Sequence, residues 1–110
     1  MNSLKSNFQF RAVYDSGHSV GGKYIVLFCM ENSLGINRLG ITVSKKVGNS
    51  VVRNRARRVI RESYRLMEMG CAQKYAQGYD FIVLARKPVV TVGLVDVMAE
   101  LLRLVKKLQL

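Results

Sequence analysis

The chain has 110 residues, with 18 Lys and Arg against 7 Asp and Glu, so its net charge is +11 and its pI is near 10.2. This length suits one domain, residues 1–110, and a hydrophobic content of 49% is enough for an ordered core, which excludes a disordered basic tail. The excess of positive charge favours a polyanionic partner such as RNA, DNA or an acidic surface.

Secretion, membrane insertion and catalysis by side chains have little support in the sequence. The first residues include Lys5 and Arg11 but no apolar segment typical of a signal peptide, and no run of about 18 apolar residues occurs. Cys29 and Cys71 lack the paired spacing of a zinc or redox motif, and His18 is the only histidine. We therefore expect a soluble cytoplasmic protein with both thiols reduced and buried, no metal site and no catalytic residue.

The N-terminal pattern predicts a short helix followed by a loop. Asn7 can cap this helix, and Phe10, Val13 and Tyr14 are spaced i, i+3 and i+4, so their side chains share one face. Glycines at positions 17, 21 and 22 then indicate a loop, which would place His18 in a turn.

Two strands are predicted in the next segment. Lys23–Met30 is a continuous apolar and aromatic run of strand length. Asn32–Asn37 is typical of a turn, and in Arg38–Ser44 apolar residues alternate with glycine or hydroxyl residues. We expect the two strands to form an antiparallel pair.

The second half of the chain is predicted to alternate helix, strand and helix. The period becomes helical from about Ser50 to Met69, where Gly70 provides a stop signal. Tyr79–Ala85 is predicted to be a buried strand, and Pro88 separates it from a last helix over about Thr91–Leu108. The core-facing stripe expected for this last helix comprises Val95, Met98, Leu102 and Val105.

The helix predicted at Ser50–Met69 separates an apolar from a basic face. At about 100° per residue, an arc of roughly 120° is wide enough to cover a sheet. This arc comprises Val52, Ala56, Val59, Ile60, Ser63, Leu66 and Met67. The opposite arc comprises Arg53, Asn54, Arg57, Arg58, Arg61 and Arg65, while Arg55 lies at the other border of the apolar arc, nearer the sheet. Lys45 and Lys46 precede the helix N-terminus, where free N–H groups and the helix dipole favour anions.

The charge density of this region favours a nucleic acid. Ser44–Arg65 contains eight Lys or Arg residues and one acidic residue, Glu62, and such a cluster repels itself unless a polyanion lies opposite. A solvated charged face is the simplest alternative, but acidic partners at i±3 and i±4 are nearly absent, and Arg is suited to forked phosphate contacts. A membrane-bound helix would carry bulky Trp, Phe or Leu on its apolar side, where this one carries Val, Ala and Ile.

The run SKKVGNSVVRNRARRVIRESYR at residues 44–65 resembles the signature of the bacterial ribonuclease P protein subunit, including its Arg-Asn-Arg centre at residues 53–55. Upstream, LKSNFQFRAVYDSG is similar to the first helix of that family, and KYIVLF at Lys23–Phe28 is similar to its first strand. Downstream, LARKP at Leu84–Pro88 matches the segment that closes its last strand. The resemblance covers nearly the whole chain.

The resemblance implies both a function and a fold. Members of this family are the small basic partner of a catalytic RNA that removes the 5′ leader from precursor tRNA. The reaction needs Mg²⁺, which is held mainly by the RNA, and the protein alone is no nuclease. The resemblance further implies that the protein binds no cofactor tightly, does not bind a membrane and needs no obligate protein partner. The implied fold is an α/β (α+β) two-layer sandwich similar to a ribosomal-protein-like domain, ordered α-β-β-β-α-β-α with the arginine-rich helix in a left-handed β-α-β crossover. The third short strand of the family has no separate signal in this sequence, unless Ile36–Ser44 supplies it after a break in Val20–Met30.

Carried over residue by residue, the resemblance implies two binding surfaces. The RNA-facing surface comprises Lys45, Lys46, Asn49, Arg53, Asn54, Arg55, Arg57, Arg58 and Arg61. The leader-binding surface comprises Phe10, Tyr14, Phe28, Arg86 and Lys87, in which aromatic rings and cations alternate as single-stranded RNA requires. Plain core packing is the alternative for each aromatic residue. Tyr14 stands where the family usually has Phe, so its ring carries an additional hydroxyl.

A ribosomal or RNA-chaperone protein on a similar scaffold, with no cleaved substrate, is the alternative interpretation, because the same charge would suit it. The aromatic and cationic set of the leader-binding surface, combined with the Arg-Asn-Arg centre, favours the ribonuclease P family. An unrelated ribosomal protein has no reason to combine the two.

Overall fold

Residues 2–71 and 78–108 are described by the computed structural model, and they form three α-helices on the two faces of a five-stranded sheet. The strands are β1 (Asn2–Ser3), β2 (His18–Gly21), β3 (Ile25–Glu31), β4 (Arg38–Thr42) and β5 (Tyr79–Ala85). The helices are α1 (Asn7–Ser16), α2 (Ser50–Cys71) and α3 (Leu94–Lys107). A first 3-10 turn at Lys45–Val47 precedes α2, and a second at Lys87–Thr91 precedes α3.

The strand order β1-β4-β5-β3-β2 places β5 at the centre of the sheet. β4 runs parallel to both β1 and β5, whereas β3 runs antiparallel to β5 and to β2. The predicted pairing of the two strands around Asn32–Asn37 is therefore wrong, because β5 lies between β3 and β4. Phe81, Ile82 and Val83 in β5 are all buried, although successive side chains of a strand point to opposite faces of the sheet. Both faces of β5 are therefore covered, and β3 and β4 pair with its two edges.

The region around His18, predicted to be a loop, is the edge strand β2. His18 lies opposite Cys29 and Gly21 lies opposite Val26 in an antiparallel pairing with β3. The residues of β2 are mostly exposed, so they lack the apolar alternation from which a strand is recognised. With β2 counted, the element order is the expected α-β-β-β-α-β-α, preceded by the short strand β1.

α1 begins one residue earlier than predicted, because its N-cap is Ser6 and not Asn7. The Ser6 hydroxyl accepts a hydrogen bond from the Gln9 N–H at 3.2 Å, and the Gln9 side chain accepts one from the Ser6 N–H at 3.1 Å. This reciprocal capping box satisfies two N–H groups of the helix start. At the other end, the Gly17 N–H donates to the Val13 carbonyl, and a Cβ at position 17 would lie 2.6 Å from that oxygen.

The predicted apolar arc of α2 is confirmed, since Ala56, Ile60, Ser63 and Met67 are buried and the other members are half-buried. Tyr64, also fully buried, was missed because it lies about 40° beyond this arc, on the side of the half-buried Arg53 and Arg57. The helix continues through Gly70 to Cys71, so Gly70 does not end it.

Cys29 is buried as expected, and burial raises the pKa of its thiol to about 12, while the side chain of Cys71 lies outside the described residues.

α3 begins at Leu94 because the preceding residues from Lys87 form the second 3-10 turn. The predicted stripe of α3 is partly wrong. Val95 is 79% exposed, whereas Val105 is buried, and the remaining buried residues of the helix are Val97, Glu100, Leu101 and Leu104. The apolar arc of α3 covers about half of the helix and is wider than its buried face, so the period alone does not show which part of the arc meets the sheet. No helix within the described residues is long and apolar enough to cross a membrane.

Two carboxylates are buried for structural reasons that the sequence did not reveal. Glu100 on α3 accepts hydrogen bonds from the N–H groups of Lys23, Tyr24 and Ile25 at 2.9–3.1 Å, and so holds the β2–β3 connection against α3. Asp80 on β5 accepts two hydrogen bonds of 2.7 Å from the Arg38 guanidinium on β4. Each carboxylate thereby receives the hydrogen bonds that its burial requires.

The two faces of the sheet are covered unequally. α2 and α3 pack on one face and enclose the main core. Among the described residues, the other face carries only α1, which encloses a smaller core of Leu4, Val13 and Ile82 with half-buried Phe10 and Phe28. Part of this second face therefore remains open beside α1.

Candidate nucleic-acid interfaces

The first candidate interface is a cationic surface on α2 and the turn before it, here called the arginine surface. It comprises Lys45, Lys46, Asn49, Arg53, Asn54, Arg55, Arg57, Arg58 and Arg61. Arg53 and Arg57 are half-buried, and the other cations are exposed. In residues 2–71 and 78–108, none of its cations forms a salt bridge, since the ion pairs found there involve Arg38, Arg65 and Arg103.

The N-terminal part of the arginine surface is fixed by helix capping. The Asn49 side-chain oxygen accepts a hydrogen bond from the Val52 N–H at 3.0 Å, so this residue caps α2. Its amide group keeps its donors for a ligand. Lys45 and Lys46 lie immediately before this end of the helix, where the positive end of the helix dipole adds to their charge.

Hydrogen bonds orient several of the arginines. Arg57 donates to the Asn54 side-chain oxygen at 3.1 Å, which aims its guanidinium along the helix surface. Arg55 donates to the Val92 carbonyl at 3.2 Å and so ties α2 to the segment before α3. Arg53 buries its Nε, which has no hydrogen-bond partner among the described residues. An open depression on the helix is lined by Val51, Asn54, Arg57, Arg58 and Arg61.

The second candidate interface lies on the face of the sheet that α1 leaves partly open. One row of side chains, Gly40, Ile82 and Phe28, crosses β4, β5 and β3 beneath α1. A Cβ at Gly40 would lie 2.7 Å from the Phe10 ring, so the absence of a side chain there admits the ring. The next row, comprising Thr42, Leu84 and Val26, is only half-buried.

We call this open region the cleft, with Thr42, Leu84 and Val26 as its floor and Tyr14 and Phe28 as its wall. The wall rings meet edge to face with centroids 4.8 Å apart, and the Tyr14 hydroxyl lies 2.8 Å from the Thr42 hydroxyl. Tyr14 is 37% exposed, whereas Phe10 is half-buried in the smaller core. Of the predicted aromatic residues, Tyr14 is therefore the most accessible to a ligand.

Arg86 and Lys87, the cations predicted for the leader-binding surface, lie at the end of β5. Arg86 is two residues beyond Leu84, and its side chain is exposed although it donates to the Gly22 carbonyl at 2.8 Å. Lys87 is exposed at the start of the second 3-10 turn. Because the two 3-10 turns pack against each other, Lys87 lies on the turn adjoining that of Lys45 and Lys46. The cleft and the arginine surface are thus neighbouring parts of one basic region.

The floor residues Val26, Thr42 and Leu84 were missed by sequence reasoning. Alternation within β3, β4 and β5 carries the signal, since each lies two residues from a member of the covered row. The alternation locates the floor only when the order of the strands is known, and the predicted pairing of β3 with β4 was wrong.

A metal ion has no ready protein site in the described ranges. No three His, Cys, Asp or Glu side chains of residues 2–71 and 78–108 lie close enough together to hold one. Asp80 and Glu100 are fully engaged in the hydrogen bonds given above.

Fold and surfaces together define a small nucleic-acid-binding domain with one helical cationic surface and one aromatic cleft. The chain belongs to the ribonuclease P protein family, since the family model Ribonuclease P matches residues 1–109. It is similar to the ribonuclease P protein component of Natranaerobius thermophilus, with 50% identity over 98% of this chain and 90% of that protein. The component from Alkaliphilus oremlandii is 41% identical over 100% of this chain and 93% of that protein.

Solved structures show the same fold. The Staphylococcus aureus RNase P protein superposes with a TM-score of 0.82 at 33% identity, covering 96% of this chain and 94% of that one. The RNase P protein from Thermotoga maritima gives a TM-score of 0.82 at 29% identity, covering 97% of each chain. The family and the mixed α+β fold expected from the sequence are confirmed. The chain is thus a protein component of the endoribonuclease that matures the 5′ end of tRNA, and the ribosomal or chaperone alternative is set aside.

Proposed function

We propose that the chain binds the catalytic RNA of ribonuclease P through the arginine surface and the unpaired 5′ leader of precursor tRNA through the cleft. The observation that carries this proposal is that one basic region combines two neighbouring surfaces with different chemistry. One presents guanidinium groups on a rigid helix, and the other sets aromatic rings beside an open apolar floor.

The arginine surface suits the backbone of a folded RNA. Its cations lack acidic partners among the described residues, so their charge is available to phosphates. Arg presents a planar fork of donors that matches two phosphate oxygens, and Arg57 is already oriented by Asn54. These contacts are independent of base sequence, which suits attachment to one structured RNA by its shape.

The cleft suits a single strand rather than a duplex. Unpaired bases stack on aromatic rings, and the partly exposed Tyr14 ring beside a half-buried floor offers such a platform. Arg86 and Lys87 at the end of the floor lie where the phosphates of that strand can be neutralised. A mature tRNA has no 5′ extension to occupy the cleft.

The proposal also divides the labour between the RNA and the protein. The proposed holoenzyme works in the cytoplasm, and its RNA holds most of the Mg²⁺ that assists hydrolysis. The protein binds the leader, positions it and screens the repulsion between the phosphates of two RNA molecules. No hydrolytic step is assigned to a side chain of this chain.

Equilibrium binding of a reconstituted holoenzyme tests the proposal. The chain should be assembled with a bacterial ribonuclease P RNA, and its affinity for precursor tRNA compared with that for the mature tRNA. We expect tighter binding of the precursor, with a difference that grows as the leader is lengthened to the reach of the cleft. Equal affinities for all leader lengths would contradict leader binding. In a parallel pull-down, capture of ribosomal RNA in place of the catalytic RNA would contradict the partner.

A further inference from the structure

The guanidinium of Arg86 is tied to the connection between β2 and β3, residues 22–24. Its Nη1 donates a hydrogen bond to the Gly22 carbonyl at 2.8 Å, and the Arg86 backbone N–H donates to the Tyr24 carbonyl at 2.8 Å. An arginine side chain has five N–H donors, so four of them remain free. The connection therefore sets the direction of this exposed cation and leaves most of its donors for a ligand.

Glu100 on α3 fixes the position of this connection. Its Oε2 accepts a hydrogen bond from the Lys23 N–H at 3.1 Å, and its Oε1 accepts one from each of the Tyr24 and Ile25 N–H groups at 2.9 Å. The carboxylate is buried, and a Cβ at position 22 would overlap it. The backbone of the connection therefore lies directly against the Glu100 oxygens.

The contact needs a carboxylate. Three N–H groups share its oxygens, and a glutamine of the same length would turn an NH2 group toward one of these donors. The connection would then lose a hydrogen bond and leave a polar group without a partner. The ion pair of Glu100 with Arg103 spans 3.6 Å at a side chain that is 56% exposed, so it contributes little. The backbone N–H groups are thus the main partners of this carboxylate.

We propose that Glu100 is a positioning residue for leader binding, which acts through the β2–β3 connection to hold the Arg86 guanidinium where it meets a leader phosphate. This inference rests on the proposed function of the cleft. A free arginine side chain loses rotamer freedom when it binds a phosphate, and a side chain that is already fixed avoids part of that cost. Glu100 is buried and belongs to α3, on the sheet face opposite α1, so it acts on the leader only through Arg86.

A double-mutant cycle tests the proposal. Dissociation constants for precursor and mature tRNA are measured for holoenzymes assembled with the unmodified chain, Glu100→Gln, Arg86→Ala and the double variant. Gly22→Ala disturbs the same contact from the side of the connection and keeps the carboxylate. Asp80→Asn is the matched control, because it removes the charge of a buried carboxylate at the other end of β5. Thermal unfolding scans set a common temperature at which the variants are folded.

Glu100→Gln and Gly22→Ala should each weaken binding of precursor tRNA about two- to tenfold, the cost of ordering one arginine side chain, and leave binding of mature tRNA unchanged. In the Arg86→Ala background, Glu100→Gln should have no further effect, because the residue through which it acts is gone. Asp80→Asn should leave both affinities unchanged.

Three results would show that Glu100 serves only the fold, and each would overturn the inference. They are equal weakening toward both tRNAs, additive effects of Glu100→Gln and Arg86→Ala, and loss of folding in both Glu100→Gln and Gly22→Ala. An Arg86→Ala holoenzyme that binds precursor tRNA as tightly as the unmodified one would instead contradict the proposed role of the cations beside the cleft.

Discussion

The ring of Tyr14 on α1 meets the ring of Phe28 on β3 edge to face, with centroids 4.8 Å apart and ring planes at 86°. The contact joins the helix to the sheet and forms the wall of the cleft. Edge-to-face pairs contribute about 0.5–1.5 kcal/mol beyond their burial. The two rings therefore stabilise the domain. The exposed side of the Tyr14 ring remains accessible to a stacked base.

Replacing Tyr14 by Ala tests leader binding in the cleft. Stacking of a base on an aromatic ring is worth about 1–3 kcal/mol, so the variant holoenzyme should bind precursor tRNA roughly tenfold or more weakly. Its affinity for mature tRNA should hardly change. Phe8→Ala is the matched control, because Phe8 is on the same helix and is 81% exposed. If filter binding shows equal weakening for the two variants, the cleft is not the leader site.

Phe10→Ala should give a mixed phenotype. The ring packs in the smaller core with Val13 and Ile82, so its removal should lower the free energy of unfolding by about 2–3 kcal/mol, measured in urea. We also expect roughly tenfold weaker binding of precursor tRNA, with mature tRNA hardly affected. Equal weakening toward the two RNAs would show that Phe10 acts only through packing.

Arg58 and Arg61 test the arginine surface, since both are exposed and line the depression on α2. Changing both to Ala should weaken binding of the catalytic RNA and flatten the plot of log K against log salt by about 0.7–0.9 for each phosphate that is no longer neutralised. Lys106→Ala with Lys107→Ala removes the same charge from exposed positions of α3. If both double variants changed the affinity and the salt dependence equally, RNA binding would depend on net charge alone and not on the arginine surface.

Asp80 gives the domain a pH dependence. Burial acts to raise the pKa of this carboxyl, but hydrogen bonds from Arg38 and Asn32 outweigh it and hold the pKa below its ordinary value. The ionised form is therefore favoured by folding. Its stabilisation is complete above the unfolded-state pKa of about 3.9 and is lost as the pH falls through the lower folded-state pKa.

Asp80→Asn should accordingly lower the free energy of unfolding by about 1.5–3 kcal/mol at neutral pH, because the variant lacks hydrogen bonds to a charged group. The difference from the unmodified chain should shrink below about pH 4. Denaturant titrations at several pH values measure this, with Glu62→Gln as an exposed control expected to change little. A difference that grows in acid would contradict the assignment.

Local patterns predicted much of the fold. The apolar arc of α2 follows from a single helix, and its burial matches the sequence. The position of β5 between β3 and β4 depends on competition among strands for the centre of the sheet, which no local pattern records. The short exposed strand β2 carries too few apolar residues to be recognised.

The candidate sites were predictable to a similar extent. Charge clustering and the family resemblance gave the arginine surface and the aromatic residues of the cleft. The hydrogen bond between Tyr14 and Thr42 joins residues far apart in the chain and needs the packed geometry of α1 on β4. The capping role of Asn49 and the bond from Arg55 to Val92 likewise depend on neighbours that helical periodicity does not supply.

Single-turnover cleavage of precursor tRNA at low Mg²⁺ is the most direct test of the central claim, that this chain assists a catalytic RNA and is not itself the nuclease. Three reactions should be compared, containing the catalytic RNA alone, rigorously RNA-free protein alone, and both together. We expect no cleavage by the protein, little by the RNA, and rapid removal of the leader by the two combined, because the cations of the protein screen phosphate repulsion. Cleavage by the RNA-free protein, or no gain when it is added to the RNA, would contradict the claim.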